Sequence, residues 1–514
     1  MKRWTFMKRP MFMERSSGRT VGMLCAAAMA FAGLRAVAQE NSFEAWGQTH
    51  GLMGYSVAVA LEDGATQTYV GGWRDWERQL PMEPSTVFRV ASISKAVTAT
   101  GFFTLWSQGM IGLDDDINDL LNLDHPIIHP NHPNIPITPR MLLSHTSGLR
   151  DGSGYNAWLQ ATYNSPNGAA LPSVDDLLSE GQTMYTSDMW GAQSPGSYFV
   201  YANINFGLLA TVMEAVTGDR FDLWMKDQTF TPLNVNASFN VLDLDDINQV
   251  AVLYRNIGGW TPQADQYEGQ TPPAPNLDGY IPGTNGARFA PQGGLRASAA
   301  DLITLAKQWT LLGNGSTTST LFPAPVVEQF REAQWSFNGS NGSNYGGLFD
   351  MWSCGLHLDE WPAESLPFSE SPGAMWGHPG EAYGLISGAY HVATDEGCRF
   401  HFSYLINGLE NGTTLGSDGW YTVENDLHQL VAQWAATACT TAEATPLEGP
   451  SRPMVFHGHP GQPLPDYLAS CGAGWVDLTG RNVHEPTPWI PSLPSGRYLL
   501  TTPQGVVAEV MVSH

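Results

Sequence analysis

The chain has 514 residues, 42% of them hydrophobic, and a formal net charge of -25. That length exceeds one ordinary domain and that hydrophobic share can fill a large core, so a large globular domain with an accessory module is expected. Phosphate contacts need Lys and Arg, so this acidity argues against a nucleic-acid partner and suits a secreted, well-solvated protein.

The N-terminus reads as an export signal. Lys2, Arg3, Lys8, Arg9, Arg15 and Arg19 precede the apolar run VGMLCAAAMAFAGL, and Ala36-Val37-Ala38 before Gln39 has the small-x-small form of a cleavage site. The apolar run is too short to span a membrane comfortably, and no later stretch is long and apolar enough. Loss of residues 1–38 takes seven basic residues and Glu14, leaving 17 basic against 48 acidic, or -31. It also takes Cys25 and leaves Cys354, Cys398, Cys439 and Cys471. Four cysteines in an exported chain can pair in three ways. The preferred pairing is Cys354–Cys398 with Cys439–Cys471; the alternative is free buried thiols. No CxxC or Cys/His metal spacing is present, and neither metal nor cofactor is expected.

Residues 54–73 alternate and turn at Asp63-Gly64, which predicts a β-hairpin. Residues 92–108 predict a helix with Ser92 as cap, ending at Gly109. A short HPIIHPNHP tract (His125, His129, His132) reads as a surface loop because of its Pro and Asn content, rather than as a metal tract. Thr138 and Pro139 open a second helix over 138–146. A third, 203–217, closes at Gly218, and a fourth covers 297–312. Stretches 261–292 and 313–345 read as long irregular loops, of the kind that form functional walls. Strands follow at 347–358, 385–393 and 399–408. Strands, then a helical middle, then strands predict an α+β domain: an antiparallel sheet completed by distant parts of the chain, with the helical region inserted between its halves. A composition break at 440–450 reads as a linker. Beyond it come GWVDLTGRNV, GRYLLTTPQG and VVAEVMVSH; the last two alternate around a Pro-Gln-Gly turn, which predicts a small β-sandwich-like module. The expected division is signal 1–38, main domain 39–440, linker 441–450 and C-terminal module 451–514.

Ser92-Ile-Ser-Lys95 carries the first chemistry. A serine hydroxyl needs a nearby base to act as a nucleophile at neutral pH. Residues i and i+3 share a helix face, so Lys95 can reach back over Ser92. Burial and the positive end of the helix both favour its neutral amine. The bland reading is a capped helix with a solvated lysine. Against it, the chain after residue 38 holds only Lys95, Lys226 and Lys307, so roughly 0.2 chance Ser-x-x-Lys matches are expected at ordinary serine content. Lys95 also sits among Ala, Val and Phe. Tyr201-Ala202-Asn203 comes just before the third helix: Tyr201 could ionise near a cationic lysine and carry protons, and Asn203 could hold a substrate amide. Tyr254-Arg-Asn256 repeats that spacing but is followed by Gly258-Gly259 and no helix. His378-Pro-Gly380 leads into a strand; the glycine admits a substrate backbone at the strand edge, and the histidine could bind a carboxylate or relay a proton. His459-Pro-Gly461 repeats that motif beyond the linker.

Five stretches in one order, FRVASISKAVTATGFFTL, ITPRMLLSHTSGLRDG, PGSYFVYANINFGLLATVMEAVTG, QGGLRASAADLITLA and WGHPGEAYGLISG, resemble the serine β-lactamase and penicillin-binding-protein superfamily. The likeness is greatest to its class C-related branch of D-aminopeptidases, DD-carboxypeptidases and carboxylesterases, and covers roughly residues 45–435. The resemblance implies Ser92 as acylated nucleophile, Lys95 as its base partner, Tyr201 as general acid and base, and Asn203 as a substrate-positioning group. It implies oxyanion N–H groups from Ser92 and from Glu381, the residue after Gly380. His378 stands where many relatives carry the lysine of Lys-Thr-Gly. A neutral imidazole anchors a carboxylate less well than an ammonium, which implies a D-amino-acid peptidase or an esterase, with weak β-lactamase activity at most. The tail, with WVDLTGRNV, LPSGRYLLTT and VVAEVMVSH, resembles a type IX secretion sorting domain of the Bacteroidota, which implies a secretion-machinery partner and a cell-surface or extracellular location. The expected function is a secreted serine hydrolase acting on a small peptide or ester. The alternative is a catalytically silent relative that binds peptidoglycan or a protein partner.

Overall fold

The computed structural model describes residues 39–444, apart from 63, 166–169, 313–314, 362–372, 396 and 411, together with the strands of a C-terminal unit. The chain divides into two compact units, Met1–Cys439 and Thr440–His514. The expected signal segment and the His459 motif lie outside the described residues. Among those residues no helix is long and apolar enough to cross a membrane.

The first unit is built on a nine-stranded antiparallel sheet. Its strands are β1 (Gly54–Leu61), β2 (Gln67–Asp75), β3 (Leu80–Pro81), β8 (Trp335–Ser336), β9 (Met351–Trp352), β10 (His357–Trp361), β11 (Gly373–Ala382), β12 (Leu385–Ala393) and β13 (Arg399–Ile406). The order is β3-β2-β1-β13-β12-β11-β10-β9-β8. The first strand therefore pairs with the last, Tyr55 opposite Ile406 and Leu61 opposite Phe400. The helical region lies between the sheet's two halves in sequence, as the strand–helix–strand order implied. Two-residue alternation places Ala58 and Ala60 in one core, and Val57 and Val59 in another across the sheet.

The larger core is helical. Its centre is α2 (Ile93–Ser107), preceded in the chain by α1 (residues 39–49). Every residue from Ile93 to Leu105 is buried, so this helix is apolar all round and sits inside the domain. Around it are α3 (Pro139–Leu143), α4 (Ser153–Tyr163) and α5 (Ile204–Thr217). Thr138 caps α3 by accepting from Met141 N, and Gly218 closes α5 in the left-handed region at φ 76°. The expected helix at 297–312 begins later. Arg296–Ser298 is strand β7, paired with β4 (Val87–Arg89), and Ser298 then caps α6 (Ala299–Ala306). The two expected loops also hold structure. β5 (Leu253–Asn256) and β6 (Trp260–Ala264) form a hairpin, and α7 (Ala324–Arg331) buries Val326, Val327 and Phe330 at helical spacing.

The opposite face of the sheet is covered by α1 and by α8 (Thr422–Ala444), with Val423, Leu427 and Val431 in the core. The sequence reading placed no helix there, and α8 runs into the start of the expected linker. The disulfide reading needs correction. Cys398 pairs with Cys439 at a Cα–Cα distance of 5.8 Å, and Cys354 is a free buried thiol. The sheet explains this: Cys354 belongs to the helical core, whereas Cys398 and Cys439 share the α8 face. Cys471 lies outside the described residues. His129, expected on a surface loop, is buried with its ring 5.0 Å from that of Trp190.

In the second unit, β14 (Met454–Gly458), β15 (Gly474–Val476), β16 (Asn482–His484), β17 (Gly496–Thr502) and β18 (Gly505–Val512) form a sheet of order β14-β18-β17-β15-β16.

Candidate active site

Ser92 sits where β4 ends and α2 begins. The β4–β7 ladder fixes this corner: Val90 N donates to Leu295 O at 2.9 Å, and Leu295 N donates to Ser94 Oγ at 3.1 Å. Ala91 turns the chain with φ 48°, in the left-handed region that costs a non-glycine residue energy, directly before Ser92. The Ser92 hydroxyl makes no capping bond to its helix. It faces Lys95 instead, whose Nζ lies 3.0 Å from Ser92 Oγ and 2.8 Å from the carbonyl oxygen of Gln292.

Lys95 is fully buried, and among the described residues its hydrogen-bond partners include no carboxylate. Burial pulls its pKa down to about 7, with Asp151 pulling the other way. Its Nζ stands 4.8 Å from the centre of the Tyr201 ring. The Tyr201 phenol is hydrogen-bonded to Ser92, which favours ionisation, but burial dominates and raises its pKa well above the ordinary value. Tyr201 is therefore a phenol at neutral pH, not the phenolate that a cationic lysine could support. Of the two groups, the lysine is the one free to accept a proton.

Asn203 lies at the head of α5. Its Nδ2 donates to Asp151 Oδ2 at 2.8 Å, and its N–H and that of Ile204 also donate to this carboxylate, at 2.9 and 3.0 Å. Asp151 thus caps α5 and fixes Asn203 while its charge bears on Lys95. The quoted LRDG stretch contained Asp151, but no spacing rule pointed to it. His145, in the LSHTSGL stretch, holds the same corner from below: its Nδ1 accepts from Ala202 N at 3.2 Å, and its ring lies 4.5 Å from that of Tyr201. Burial and the neighbouring Lys95 keep His145 neutral.

β11 forms the opposite wall. Its pairing with β10 ends at Gly377, so His378 to Ala382 have β12 alone as strand neighbour. A Cβ on Gly380 would lie 2.7 Å from Val90 O and 3.1 Å from Ser92 N. Glycine is therefore required for the strand to come this close to the Ser92 N–H. Ser387 clamps the approach, donating to both Val90 O and Gly380 O, 3.1 Å from each. His378 does not take its expected place. Its ring is fully buried between Trp352 and Tyr201, with centroids 5.2 and 6.1 Å away, and Nδ1 is 2.5 Å from Pro379 O. Burial first, and Lys95 second, hold it neutral. It packs behind the phenol and lines neither cavity beside Ser92.

Those cavities share Ser92, Tyr201 and Glu381. The smaller, about 350 Å³, is walled mostly by apolar side chains, among them Tyr345, Leu348, Phe349, Ile386 and Trp420. The larger, about 740 Å³, carries Asn203, Gln292 and Tyr383 with several arginines. Glu381 turns its carboxylate to the Tyr421 hydroxyl, which donates at 2.7 Å from the smaller cavity's rim.

Residues 35–422 match the family described as Beta-lactamase. The chain belongs to that family. Penicillin-binding protein 4* of Bacillus subtilis (strain 168) is 30% identical over 201 residues, 39% of this chain and 40% of that protein. Protein flp of Staphylococcus aureus (strain N315) is 24% identical over 164 residues, 32% of this chain and 30% of that one. The matched stretches thus span well under half the length of either relative. The fold is that of the D-amino acid amidase of Ochrobactrum anthropi SV3 in complex with L-phenylalanine, at 17% identity and a TM-score of 0.53, over 78% of this chain and 99% of that one. It is also that of the octameric penicillin-binding protein homologue of Pyrococcus abyssi, at 18% identity and a TM-score of 0.53, over 91% and 86%. The beta-lactamase family comprises serine hydrolases and acyl-transferases.

Proposed function

We propose that the chain is a secreted serine hydrolase that forms an acyl-enzyme on Ser92 and cleaves a peptide of D-amino-acid type or a carboxylic ester. The observation that carries this reading is the buried amine of Lys95, 3.0 Å from Ser92 Oγ and paired with no carboxylate. As Ser92 Oγ attacks the scissile carbonyl carbon, neutral Lys95 takes its proton. The oxyanion is met by the N–H of Ser92 and, across the narrow gap at Gly380, that of Glu381. Collapse breaks the bond to the leaving amine or alcohol. The Tyr201 phenol protonates that group and recovers a proton from the Lys95 ammonium. Water then attacks the Ser92 ester and gives up its proton to Lys95, and the ammonium returns that proton to Ser92 Oγ as the acyl–oxygen bond breaks, leaving free serine and the acid product.

The apolar walls of the smaller cavity support a substrate with one apolar arm. The neutral, buried His378 supports weak β-lactamase activity at most, since it offers no cation to the carboxylate of a penicillin or cephalosporin. A D-amino acid amidase shares the fold, in keeping with a D-configured substrate. The N-terminal signal pattern and the sorting-domain pattern of the tail support export to the cell surface or beyond, with the secretion machinery as partner.

The test is turnover by the protein spanning residue 39 to the C-terminus, assayed on short acyl esters, D-Ala-D-Ala peptides, D-amino-acid amides and a chromogenic cephalosporin. Hydrolysis of an ester or D-peptide that disappears in Ser92→Ala, with the cephalosporin slowest, is the expected pattern. A cephalosporin turned over fastest, or hydrolysis that survives Ser92→Ala, contradicts it.

A further inference from the structure

The chain carries 49 acidic against 24 basic side chains, yet the larger cavity beside Ser92 is lined by Arg89, Arg255, Arg288 and Arg296. Asp265 accounts for part of this charge. It accepts from Arg296 at 2.7 Å and from Arg89 at 3.0 Å, so two guanidiniums share one carboxylate. Both arginines hold that carboxyl well below its usual range, against the effect of burial. Arg288 spends its terminal nitrogens on the carbonyls of Thr162, Tyr163 and Asn276, and its buried Nε has no partner. Arg255 has no carboxylate within ion-pair distance among the described residues, and it is exposed. Asp265 sits behind its arginines and does not line the cavity, and the acid that does, Glu381, is bound by Tyr421. Positive charge therefore exceeds negative charge on this wall, beside the nucleophile.

The fold sets Arg255 there. Gly384, at φ 89°, lets the β11–β12 turn press on β5: a Cβ would lie 3.0 Å from Arg255 Cγ and would collide with Tyr254 O. The same turn presents Tyr383, at φ 58°, to Arg89, whose Cζ stands 5.7 Å from the ring centre. β11 runs from Pro379 and Gly380 on the apolar cavity to Ala382 on the arginine-lined one, where Tyr383 of the following turn joins it. A chain lying along this edge, with its scissile bond at Ser92, places one arm in each cavity.

We infer that the larger cavity is an anion subsite, selecting substrates whose second arm bears a carboxylate, with Arg255 as the group that recognises it. A planar guanidinium meets a carboxylate with two parallel N–H donors, and Arg255 has its donors unspent on any carboxylate. The inference rests on the Ser92 hydrolase reading for its catalytic consequence, but not for binding.

Two matched ester sets test it, because the carboxylate can lie on either side of the scissile bond. Phenylacetyl glycolate is compared with phenylacetyl glycolamide, and monobenzyl succinate with its succinamate. In at least one set the anion is expected to have at least a tenfold higher kcat/KM than its amide, carried by KM and weakened by salt. Arg255→Ala should reduce the preference to within about twofold, and Arg255→Glu should invert it. Binding is measured in parallel, by calorimetry on Ser92→Ala protein, with phenylacetylglycine, phenylacetylglycinamide and the α-amide of phenylacetylaspartate. Tighter binding of phenylacetylglycine alone identifies a terminal carboxylate as the recognised group; tighter binding of the aspartate compound identifies a side-chain carboxylate. Equal binding of all three, or an anion preference that survives both Arg255 variants, overturns the inference. Loss of all ester turnover with the binding preference intact instead counts against the hydrolase reading.

Discussion

At the scale of single residues, the decisive quantity is the charge state of Lys95. A lysine in water is an ammonium at neutral pH and cannot take a proton from serine. This one lies inside an apolar helix, and burial brings it to about 7. The sign is fixed by which form acts: the amine is the base, so acylation slows as the amine is protonated. The rate constant for acylation should fall about tenfold for each pH unit below 7 and level off above it. Stopped-flow trapping with a neutral ester reads this directly; a rate flat between pH 5 and 8 would remove Lys95 as the base. Replacing Lys95 with Ala should cost about 10²- to 10⁴-fold in that rate constant. That Ser92, Lys95 and Tyr201 come together could be read from the sequence, because Ser-x-x-Lys is rare in a lysine-poor chain and a tyrosine stands at a helix head. Asp151 and the Gln292 carbonyl were not. One acts as a cap from a distant loop, and the other acts through its backbone, which carries no residue signature. The partial misreading of His378 has the same root: the motif gives a strand position, and only packing decides that the ring turns behind Tyr201.

At the scale of elements, the site is a seam between α2 and β11. Three features close it: the Ala91 turn, the missing side chain of Gly380, and the two bonds of Ser387. Gly380→Ala tests the closeness. Its Cβ meets the Val90 carbonyl at 2.7 Å, so the strand must move away from Ser92 N. A displacement near 1 Å at an oxyanion site costs about 100-fold. The expected result is a loss of that order in kcat with folding retained; an unchanged kcat would mean that the strand does not supply the oxyanion contact. Most elements of this seam followed from caps and alternation. The late start of α6 did not, because Arg296–Ser298 continues an apolar helical pattern until β4 claims it as a strand. α7 lies in a stretch read as an irregular loop, and α8 begins in residues for which no element was expected, although Val326, Val327 and Phe330, and Val423, Leu427 and Val431, carry a helical spacing.

At the scale of the whole molecule, the strand–helix–strand order implied an antiparallel sheet completed by distant parts of the chain; that β1 pairs with β13 is what the structure adds. Which cysteines meet was not legible, because it depends on the face of the sheet each occupies. Cys398 and Cys439 tie α8 to β13's side, while Cys354 lies in the other core. The same two-sided sheet leaves α2 and Lys95 in the helical core, where no carboxylate among the described residues bonds to the amine; on the proposed reading this is what activates Ser92. The most direct measurement is the mass of the intact protein after reaction with a fluorophosphonate, with the adduct located by peptide fragmentation. One adduct per chain on Ser92, absent from Ser92→Ala and slowed strongly in Lys95→Ala, is the expected result. An adduct on another residue, or no adduct on the folded protein, would contradict the assignment of Ser92 as the nucleophile.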